Sequence, residues 1–226
     1  MATVTEPDNG SNDSRLIIAL ILICTCIELV LQFADWNFLN APRLRQTAYE
    51  FGGFWPGLLG NWRPNYQGQP VAMFVTYGFL HGGLSHLIVN MITLWSLGMA
   101  VMSRVGAWRT SGLYCASLLG GAVGYTLLSP GLSPMVGASG ALFGLAGGLL
   151  AWSYVDRFTY GQGLWPIAQA MVALIVLNLV LWWAMNGNLA WETHLGGFIA
   201  GWIAAIIIDP RPQQTEPDKA TPPHKK

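Results

Sequence analysis

Charged residues are scarce in this chain of 226 residues. Asp, Glu, Lys and Arg make up 10% of it, whereas 53% of the residues are hydrophobic. Soluble domains carry about 25% charged residues, and so few charges could not cover the surface of a water-soluble chain of this length. The eleven basic and eleven acidic residues cancel, which argues against a nucleic-acid partner because such a partner needs a basic face. The composition indicates a polytopic membrane protein in contact with a lipid bilayer.

Cysteines and metal-binding motifs are also few. The three cysteines, Cys24, Cys26 and Cys115, lie in apolar runs, so we expect small buried hydrophobes rather than a disulfide framework. No His-Glu-x-x-His motif occurs, and no carboxylate shares the predicted depth of the histidines, so a zinc protease is disfavoured. Paired membrane aspartates, which an aspartyl intramembrane protease needs, are absent as well. The sequence therefore predicts neither a metal nor a cofactor.

Six apolar segments are present, most of them near the length of about 20 residues that crosses a bilayer. The residues after the first segment lack a small-x-small cleavage site, so we interpret it as a retained helix and not as a signal peptide. The segments are 16–33, 83–101, 108–128, 139–155, 165–185 and 194–208. We therefore predict an all-α, six-helix membrane domain over residues 15–209, with disordered ends at 1–14 and 210–226.

The basic residues predict the orientation of the bundle. Six crossings put both termini on one side, and that side carries eight of the eleven basic residues, Arg15, Arg104, Arg109, Arg157, Arg211, Lys219, Lys225 and Lys226. The other side carries Arg43, Arg45 and Arg63, all in the first loop. The positive-inside rule then places both termini in the cytoplasm and the first loop, about 34–82, outside. This loop is dense in aromatic residues and is predicted to lie in the membrane interface.

Four polar residues on three segments share one predicted depth. Ser139 and His86 each precede the first inner basic residue of their segment by 18 residues, or roughly 27 Å of helix. Asn90 and His194 lie roughly 21 and 22 Å from the inner boundary by the same reckoning. In a hydrocarbon core of about 30 Å, all four fall within roughly 10 Å of the outer face. Polar groups at such a depth are costly and point to a functional site.

Small residues give two of these segments a means of close approach. The Ser139 segment carries Gly140, Gly144 and Gly148 at every fourth position, and the His194 segment carries Gly197 and Gly201. Such spacing is also common in generic packing, but here it coincides with a serine and a histidine at equal depth. We predict that the two helices pack closely enough for a Ser–His hydrogen bond of about 2.6–3.2 Å.

The predicted chemistry is nucleophilic catalysis by a Ser139–His194 dyad. The imidazole would take the hydroxyl proton, and the serine oxygen would attack a carbonyl. His86 and Asn90 are four apart and share a helix face, so both could donate to a developing oxyanion beside the backbone N–H of Ser139. Glu192 precedes His194 by two residues and is interpreted as a loop charge, which favours a dyad over a triad.

Two further polar residues are left with open or structural interpretations. His81 could contact substrate or could fix the loop by hydrogen bonds. Asn178, in the fifth segment, is interpreted as a residue that only bonds to a neighbouring helix.

Taken together, these residues resemble the rhomboid intramembrane serine proteases. The resemblance rests on His81, His86 and Asn90, on Gly137-Ala138-Ser139-Gly140, and on His194 followed by Gly197 and Gly201. It implies a six-helix rhomboid-like bundle, Ser139 as nucleophile, His194 as general base, and His86 and Asn90 in the oxyanion hole. Phe143 matches a position whose aromatic ring packs on the histidine in family members.

The resemblance also implies what the protein acts on. Transmembrane proteins would be the substrates, cut near the outer face of a cell membrane, with the bacterial inner membrane expected. The chain departs from many family members in its first loop, because Trp62-Arg63 lies too far upstream of His81 and Ala72-Met73 occupies the expected place. A catalytically inactive rhomboid-like binder is the main alternative, and a channel or transporter is a weaker one since the polar groups do not line a full crossing. Natural substrate and oligomeric state are not indicated.

Overall fold

The chain folds into a bundle of α-helices. The computed structural model describes residues 10–129 and 133–209, and within them the β-structure is a single bridge between Phe54 and Met135. The helices are α1 (Gly10–Asp35), α2 (Leu44–Gly52), α3 (Gln69–Thr76), α4 (Leu84–Leu128), α5 (Ser139–Thr159), α6 (Trp165–Ala184) and α7 (Trp191–Ile208). The predicted all-α fold class is confirmed.

Helix α4 consists of two helical halves that meet at a kink, and each half corresponds to one predicted membrane crossing. Its 45 residues correspond to roughly 68 Å of helix, about twice the thickness of a hydrocarbon core. The helical path breaks at Gly106, where φ is 77° and ψ is 170°, a conformation that glycine adopts without steric cost. The predicted segments 83–101 and 108–128 lie on either side of this glycine. The change of direction between these two predicted segments therefore occurs at a single glycine.

Four of the described helices are long and apolar enough to cross a membrane, namely α1 over Ser14–Asp35, α4, α6 and α7. Helix α5 has 21 residues, which is also sufficient length, but its serine and glycines make it less apolar. Most of its inward residues are buried, including Gly140, Gly144, Gly147 and Gly148. With α4 counted as two crossings, the bundle has the six-crossing form expected.

Helices α5 and α7 are in direct backbone contact. A Cβ built on Gly197 would overlap the carbonyl group of Gly140, and one built on Gly201 would overlap that of Gly144. No side chain larger than hydrogen fits at either position without moving the helices. The predicted close approach of these two segments is therefore confirmed.

Helix α7 makes a second glycine contact that the sequence analysis did not anticipate. A Cβ on Gly124 of α4 would lie 2.8 Å from the Cα of Gly196 and 2.6 Å from the carbonyl oxygen of Glu192. Thr193 adds a hydrogen bond from its hydroxyl to the carbonyl of Gly121 (2.9 Å). Helix α7 is consequently held between α4 and α5 at the end where His194 lies.

The first loop is structured and braces the segment before Ser139. It contains α2, α3 and two short 3-10 turns, Pro56–Leu59 and Tyr77–Phe79. Phe54 and Met135 exchange two backbone hydrogen bonds of 2.9 and 3.0 Å, and the N–H of Gly137 donates to the carbonyl of Tyr77 (2.9 Å). The Tyr77 hydroxyl in turn donates to the carbonyl of Leu118 on α4 (2.7 Å). These bonds fix the approach to α5 from outside the bundle.

An ionic cluster joins the first loop to α1. The guanidinium of Arg45 on α2 binds the carboxylates of Glu28 (2.8 Å) and Asp35 (2.6 Å), and the Glu28 side chain is fully buried. Burial alone would lower the pKa of Arg45, but its hydrogen bonds to Glu28, Tyr49 and Asp35 raise that pKa above its ordinary value. Arg45 therefore stays charged and neutralises a carboxylate buried in the bundle.

A second ionic cluster lies at the opposite end of the bundle. Arg104 of α4 binds Asp156 near the end of α5 (2.8 Å) and approaches Asp209 after α7 (3.6 Å). Its guanidinium stacks on the ring of Trp152 at 5.0 Å, and the Trp152 indole donates to the carbonyl of Ala205 (2.9 Å). Three helices are thereby tied together at the end farthest from Ser139.

Helix α1 begins at Gly10, before the predicted start of the helical domain at residue 15. Residues 1–9 and the predicted tail, 210–226, lie outside the described residues, so the predicted disorder of the two ends stays a prediction. The cysteines are free, as expected, but only Cys24 is buried. Cys26 and Cys115 are exposed on their helices, where the surrounding lipid is as apolar as a protein core, and the prediction that they are buried in the protein was wrong.

Candidate active site

Ser139 and His194 lie side by side at the same end of their helices. Ser139 is the first residue of α5, and His194 lies in the first turn of α7. Their separation of 2.8 Å between Ser139 Oγ and His194 Nε2 is a hydrogen-bond distance. The glycine contacts between α5 and α7 permit this approach, because a side chain there would push the two helices apart. His194 is almost fully buried and Ser139 is partly exposed.

The second ring nitrogen of His194 also has a partner. His194 Nδ1 lies 2.8 Å from Oδ1 of Asn178 on α6. An amide oxygen can only accept, so the hydrogen-bond network assigns the proton to Nδ1 and leaves the Nε2 lone pair to accept from the Ser139 hydroxyl. This is the tautomer that a general base for Ser139 requires.

An aromatic ring fixes the plane of the imidazole. Phe143, one turn after Ser139 on α5, stacks on His194 with ring centroids 4.2 Å apart and planes 4° from parallel. The stacking leaves the two ring nitrogens free to bond within the imidazole plane. Phe143 thus occupies the place that the sequence resemblance implied for it.

His86 is also held in one tautomer, and its ring lies beside Gly137, two residues before Ser139. The backbone N–H of Gly82 donates to His86 Nδ1 (3.1 Å), so the ring proton is assigned to Nε2. A Cβ on Gly137 would lie only 2.9 Å from this Nε2 atom. His86 therefore presents an N–H donor beside the backbone that leads into Ser139.

The start of α5 adds backbone donors at the same place. The first intrahelical bond runs from the N–H of Leu142 to the carbonyl of Ala138, so the N–H groups of Ser139 and the next two residues point out of the helix end. A helix N-terminus favours negative charge through these groups and the helix dipole. Together with His86 Nε2–H, which lies against Gly137, they place several donors along the backbone that leads into Ser139.

Asn90 is buried one turn after His86 on α4 and forms a hydrogen bond within that helix. Its Nδ2 donates to the His86 carbonyl (2.8 Å), and its Oδ1 has no hydrogen-bond partner among the described residues. The second Nδ2 proton is the one available to a ligand. The contacts of Asn90 within the described residues therefore link it to His86, and its place in the oxyanion hole stays a prediction.

His81 supports the site through its backbone. Its carbonyl accepts from Arg45 Nη1 (2.9 Å) and from the Tyr49 hydroxyl (2.7 Å). Its ring is fully buried and lies edge-on to His86 with centroids 5.2 Å apart. Neither ring nitrogen has a hydrogen-bond partner in the part of the chain that is described. Burial, with a smaller contribution from His86, lowers the pKa of His81 to about 4, so its ring is neutral at pH 7.

Two sequence interpretations change with the structure. Glu192 is not a loop charge: it lies in the first turn of α7 and is buried, where a carboxylate is favoured by the helix dipole. Asn178 does bond to a neighbouring helix, as expected, but its partner is the predicted base itself. The signal that could have found it is that Asn178 and Gln169 are the two polar side chains in the otherwise apolar α6.

An apolar groove opens beside the histidine. A cavity of about 570 Å³ lies between α5, α6 and α7, and its lining includes Phe143, Leu174, Asn178 and His194. Elsewhere, Trp62 and Arg63 line a smaller cavity of about 170 Å³ in the first loop. Within residues 10–129 and 133–209, no three His, Cys, Asp or Glu side chains are grouped so that they could hold a metal ion.

Sequence comparison places this arrangement in a family. The model of the Rhomboid domain family matches residues 68–211, a stretch that contains Ser139, His194, His86 and Asn90. The chain belongs to the rhomboid family. The match begins within the first loop and covers α3 to α7.

Similar rhomboid proteins occur in plants and bacteria. The chain is 37% identical over 136 residues to "RHOMBOID-like protein 5" of Arabidopsis thaliana, a match that covers 60% of this chain and 43% of that protein. It is 36% identical over 129 residues to "Rhomboid protease GluP" of Bacillus subtilis (strain 168), covering 57% and 24%. "RHOMBOID-like protein 6, mitochondrial" of Arabidopsis thaliana is 30% identical over 156 residues, covering 68% and 48%. The matched parts thus make up about a quarter to a half of these relatives.

Proposed function

We propose that this rhomboid chain is an intramembrane serine endopeptidase with a Ser139–His194 dyad. The observation that carries the proposal is the 2.8 Å hydrogen bond from the Ser139 hydroxyl to His194 Nε2, made inside a bundle of the rhomboid family. The protease named among its relatives supports the same activity. A serine activated in this way attacks peptide carbonyls.

The geometry suggests how each step proceeds. His194 Nε2 takes the Ser139 hydroxyl proton as the serine oxygen bonds to the substrate carbonyl carbon. The negative charge that develops on the carbonyl oxygen is met by the Ser139 N–H and by His86 Nε2–H, with Asn90 as a further donor. The C–N bond then breaks, and His194 returns the proton to the leaving amine. Water, deprotonated by the same histidine, hydrolyses the acyl-enzyme.

The substrates proposed are transmembrane segments of other proteins. A helix protects its carbonyls by its own hydrogen bonds, so a substrate must unwind locally, and glycine or other helix-breaking residues near the cut would help. The family resemblance adds a preference for small side chains before the cut. With both termini in the cytoplasm, as the basic residues indicate, Ser139 lies near the outer face of a cell membrane.

The deciding experiment compares Ser139→Ala, His194→Ala and wild type, each purified in detergent and mixed with a model transmembrane substrate. Each substitution should reduce cleavage to background while helical content is unchanged, and the double variant should be little worse because the pair acts as a unit. Ser103→Ala is the matched control. Ser103 is an exposed serine on a different helix, α4, and its hydroxyl donates to the Ala100 carbonyl of that same helix (2.8 Å).

The outcomes separate the alternatives. Cleavage that survives in Ser139→Ala would rule out the serine mechanism, and inhibition by chelators with restoration by zinc would favour a metalloprotease. A wild type that binds the substrate without cutting it would identify an inactive rhomboid-like binder.

A further inference from the structure

We propose that Asn178 is a positioning residue for His194, so that activation of Ser139 depends on α6 being docked against the site. The proposal rests on the proteolytic function proposed above and adds a third residue to the dyad. Its basis is the 2.8 Å contact between Asn178 Oδ1 and His194 Nδ1. Asn178 bonds to Nδ1 of His194, whereas Ser139 bonds to Nε2, so the effect of Asn178 on the serine passes through the imidazole.

His194 needs a hydrogen-bond acceptor for its buried Nδ1–H. His194 is almost fully buried, and the groove beside it is lined mainly by hydrophobic side chains, including Leu174, Leu179 and Trp182. A buried N–H without an acceptor costs free energy, and that cost grows when the ring becomes positively charged. The Asn178 oxygen satisfies Nδ1–H in both states. It therefore favours the reactive tautomer before proton transfer and stabilises the imidazolium after it.

The orientation of the His194 ring depends on stacking and on hydrogen bonds together. Phe143 fixes the plane of the imidazole through stacking, but stacking does not by itself determine where the two ring nitrogens lie in that plane. Hydrogen bonds at both nitrogens, to Ser139 and to Asn178, determine their positions. One stacking contact and two hydrogen bonds thus define one position of the ring.

Helix α6, which carries Asn178, has few buried residues. In α6 only Ile167 is fully buried, and the residues that are partly covered, Ala170, Leu174, Asn178 and Leu181, form a single stripe. The groove of about 570 Å³ separates much of the helix from α7. A hydrogen bond tolerates only a few tenths of an ångström of stretching, so any displacement of α6 that widens the groove removes the acceptor from Nδ1. The serine would then lose part of its activation without any change in α5 or α7.

The test measures serine reactivity separately from substrate entry. A small soluble phosphonate reacts with an activated serine, and its rate of labelling at Ser139 does not require a transmembrane substrate to enter. Asn178→Leu removes the acceptor and keeps an apolar side chain suited to the groove. Labelling and kcat should both fall by about 10- to 100-fold, with KM nearly unchanged.

Two further variants distinguish positioning from packing. Asn178→Asp keeps an acceptor oxygen at the same place and should react faster than Asn178→Leu. Leu181→Ala is the matched control, because Leu181 belongs to the same half-buried stripe of α6 one turn away but does not line the groove, and its activity should stay within about threefold of wild type. Circular dichroism and thermal unfolding in detergent establish that each variant is folded.

Each other outcome overturns the proposal. Normal labelling with slow cleavage in Asn178→Leu would assign Asn178 to substrate admission, and equal losses in Asn178→Leu and Leu181→Ala would assign it to packing. Failure of Asn178→Asp to exceed Asn178→Leu would exclude the acceptor role. A wild type that is not labelled at Ser139 at all would instead refute the proposed serine protease, and this inference with it.

Discussion

At the scale of single residues, the site depends on the absence of a side chain at Gly137. Its φ of +125° lies in the region that glycine favours, and a Cβ there would lie 2.7 Å from Cε1 of His86. The same glycine donates its N–H to Tyr77 of the first loop. One residue therefore sets the course of the chain into Ser139 and leaves room for the His86 ring beside it.

The first residue-scale prediction concerns Asn90. Asn90→Ala should lower kcat by about a hundredfold or less and leave KM roughly unchanged, as expected for the loss of one oxyanion donor. Steady-state cleavage of a transmembrane substrate measures both constants.

The structure also offers a purely structural role for Asn90 within α4. Asn90 already donates to the His86 carbonyl within α4, so its role could be limited to that helix. Thr93 makes the same kind of bond, from its hydroxyl to the carbonyl of Val89 (2.8 Å), on an exposed face of α4, and Thr93→Val is the control. A kcat for Asn90→Ala no lower than that for Thr93→Val would remove Asn90 from the oxyanion hole.

The sequence could predict individual residues only where their type and position were both unusual. Ser139 and His194 were identifiable because a serine and a histidine at matching depths are costly in a membrane, and the structure places them within hydrogen-bond distance. Asn178 was not assigned to the site, since its role depends on the rotation of α6 about its axis, and an almost uniformly apolar helix gives no periodic signal for rotation. The burial of Glu192 was missed because it follows from the tight contact of α7 with Gly124, which no local pattern reveals.

At the scale of helices, the contact between α5 and α7 sets the distance between serine and histidine. Helices packed through glycine have their backbones in contact, and a shift of about 1 Å in the position of catalytic groups can cost a hundredfold in rate. The glycines are thus part of the catalytic geometry even though none of them reacts.

This leads to a prediction for Gly197. Gly197→Val puts a branched side chain against the carbonyl of Gly140 and should cost about 1–3 kcal/mol of stability through overpacking. It should lower kcat by about a hundredfold or more, because the backbone must move to accept the side chain. Cleavage assays corrected for the folded fraction measure the effect on the site alone.

Gly112→Val is the matched control. Gly112 is also a helical glycine in the bundle, but a Cβ there meets nothing within 4 Å. Full activity of folded Gly197→Val, equal to that of Gly112→Val, would show that this contact does not assemble the dyad.

The apolar segments were predictable as helices, but the connections between them were not. Hydrophobic runs close to the length that crosses a bilayer, about 20 residues, give a strong signal, and each of the six segments coincides with a described helix to within one residue at the ends that it overruns. Helices α2 and α3, with nine and eight residues, are too short for periodicity to distinguish them from loop. Gly106 was not identified as the turn because its positive φ is a property of the folded backbone.

At the scale of the whole molecule, the two ionic clusters hold opposite ends of the bundle. Arg104 with Asp156 and Asp209 joins α4, α5 and the end of α7, while Arg45 with Glu28 and Asp35 joins α1 to the first loop. Arg45 was counted from the sequence only as an outer positive charge. The structure shows that its charge is matched by two carboxylates and that it also holds the His81 carbonyl. This cluster therefore connects the first helix to the neighbourhood of His86.

The last prediction tests that connection. Arg45→Met should destabilise the protein by about 3–5 kcal/mol, because it leaves the fully buried Glu28 carboxylate without its partner. Glu28→Gln combined with Arg45→Met should recover part of this loss, since the double variant has no buried charge to leave unpaired. Unfolding in mixed detergent micelles gives the free energies. Arg43→Met, at an exposed arginine two residues earlier on the same loop, is the control and should stay within about 0.5 kcal/mol of wild type.

The activities of the same variants show whether the cluster also supports the site. Because Arg45 Nη1 and the Tyr49 hydroxyl share the His81 carbonyl as acceptor, removing Arg45 loosens but does not release the segment that leads into α4 and His86. The folded fraction of the double variant should therefore cleave more slowly than wild type, while Arg43→Met cleaves normally. If the double variant regains stability and cleaves at the wild-type rate, the cluster stabilises the attachment of α1 only, and the position of His86 is set by α4 and the Gly82 hydrogen bond alone.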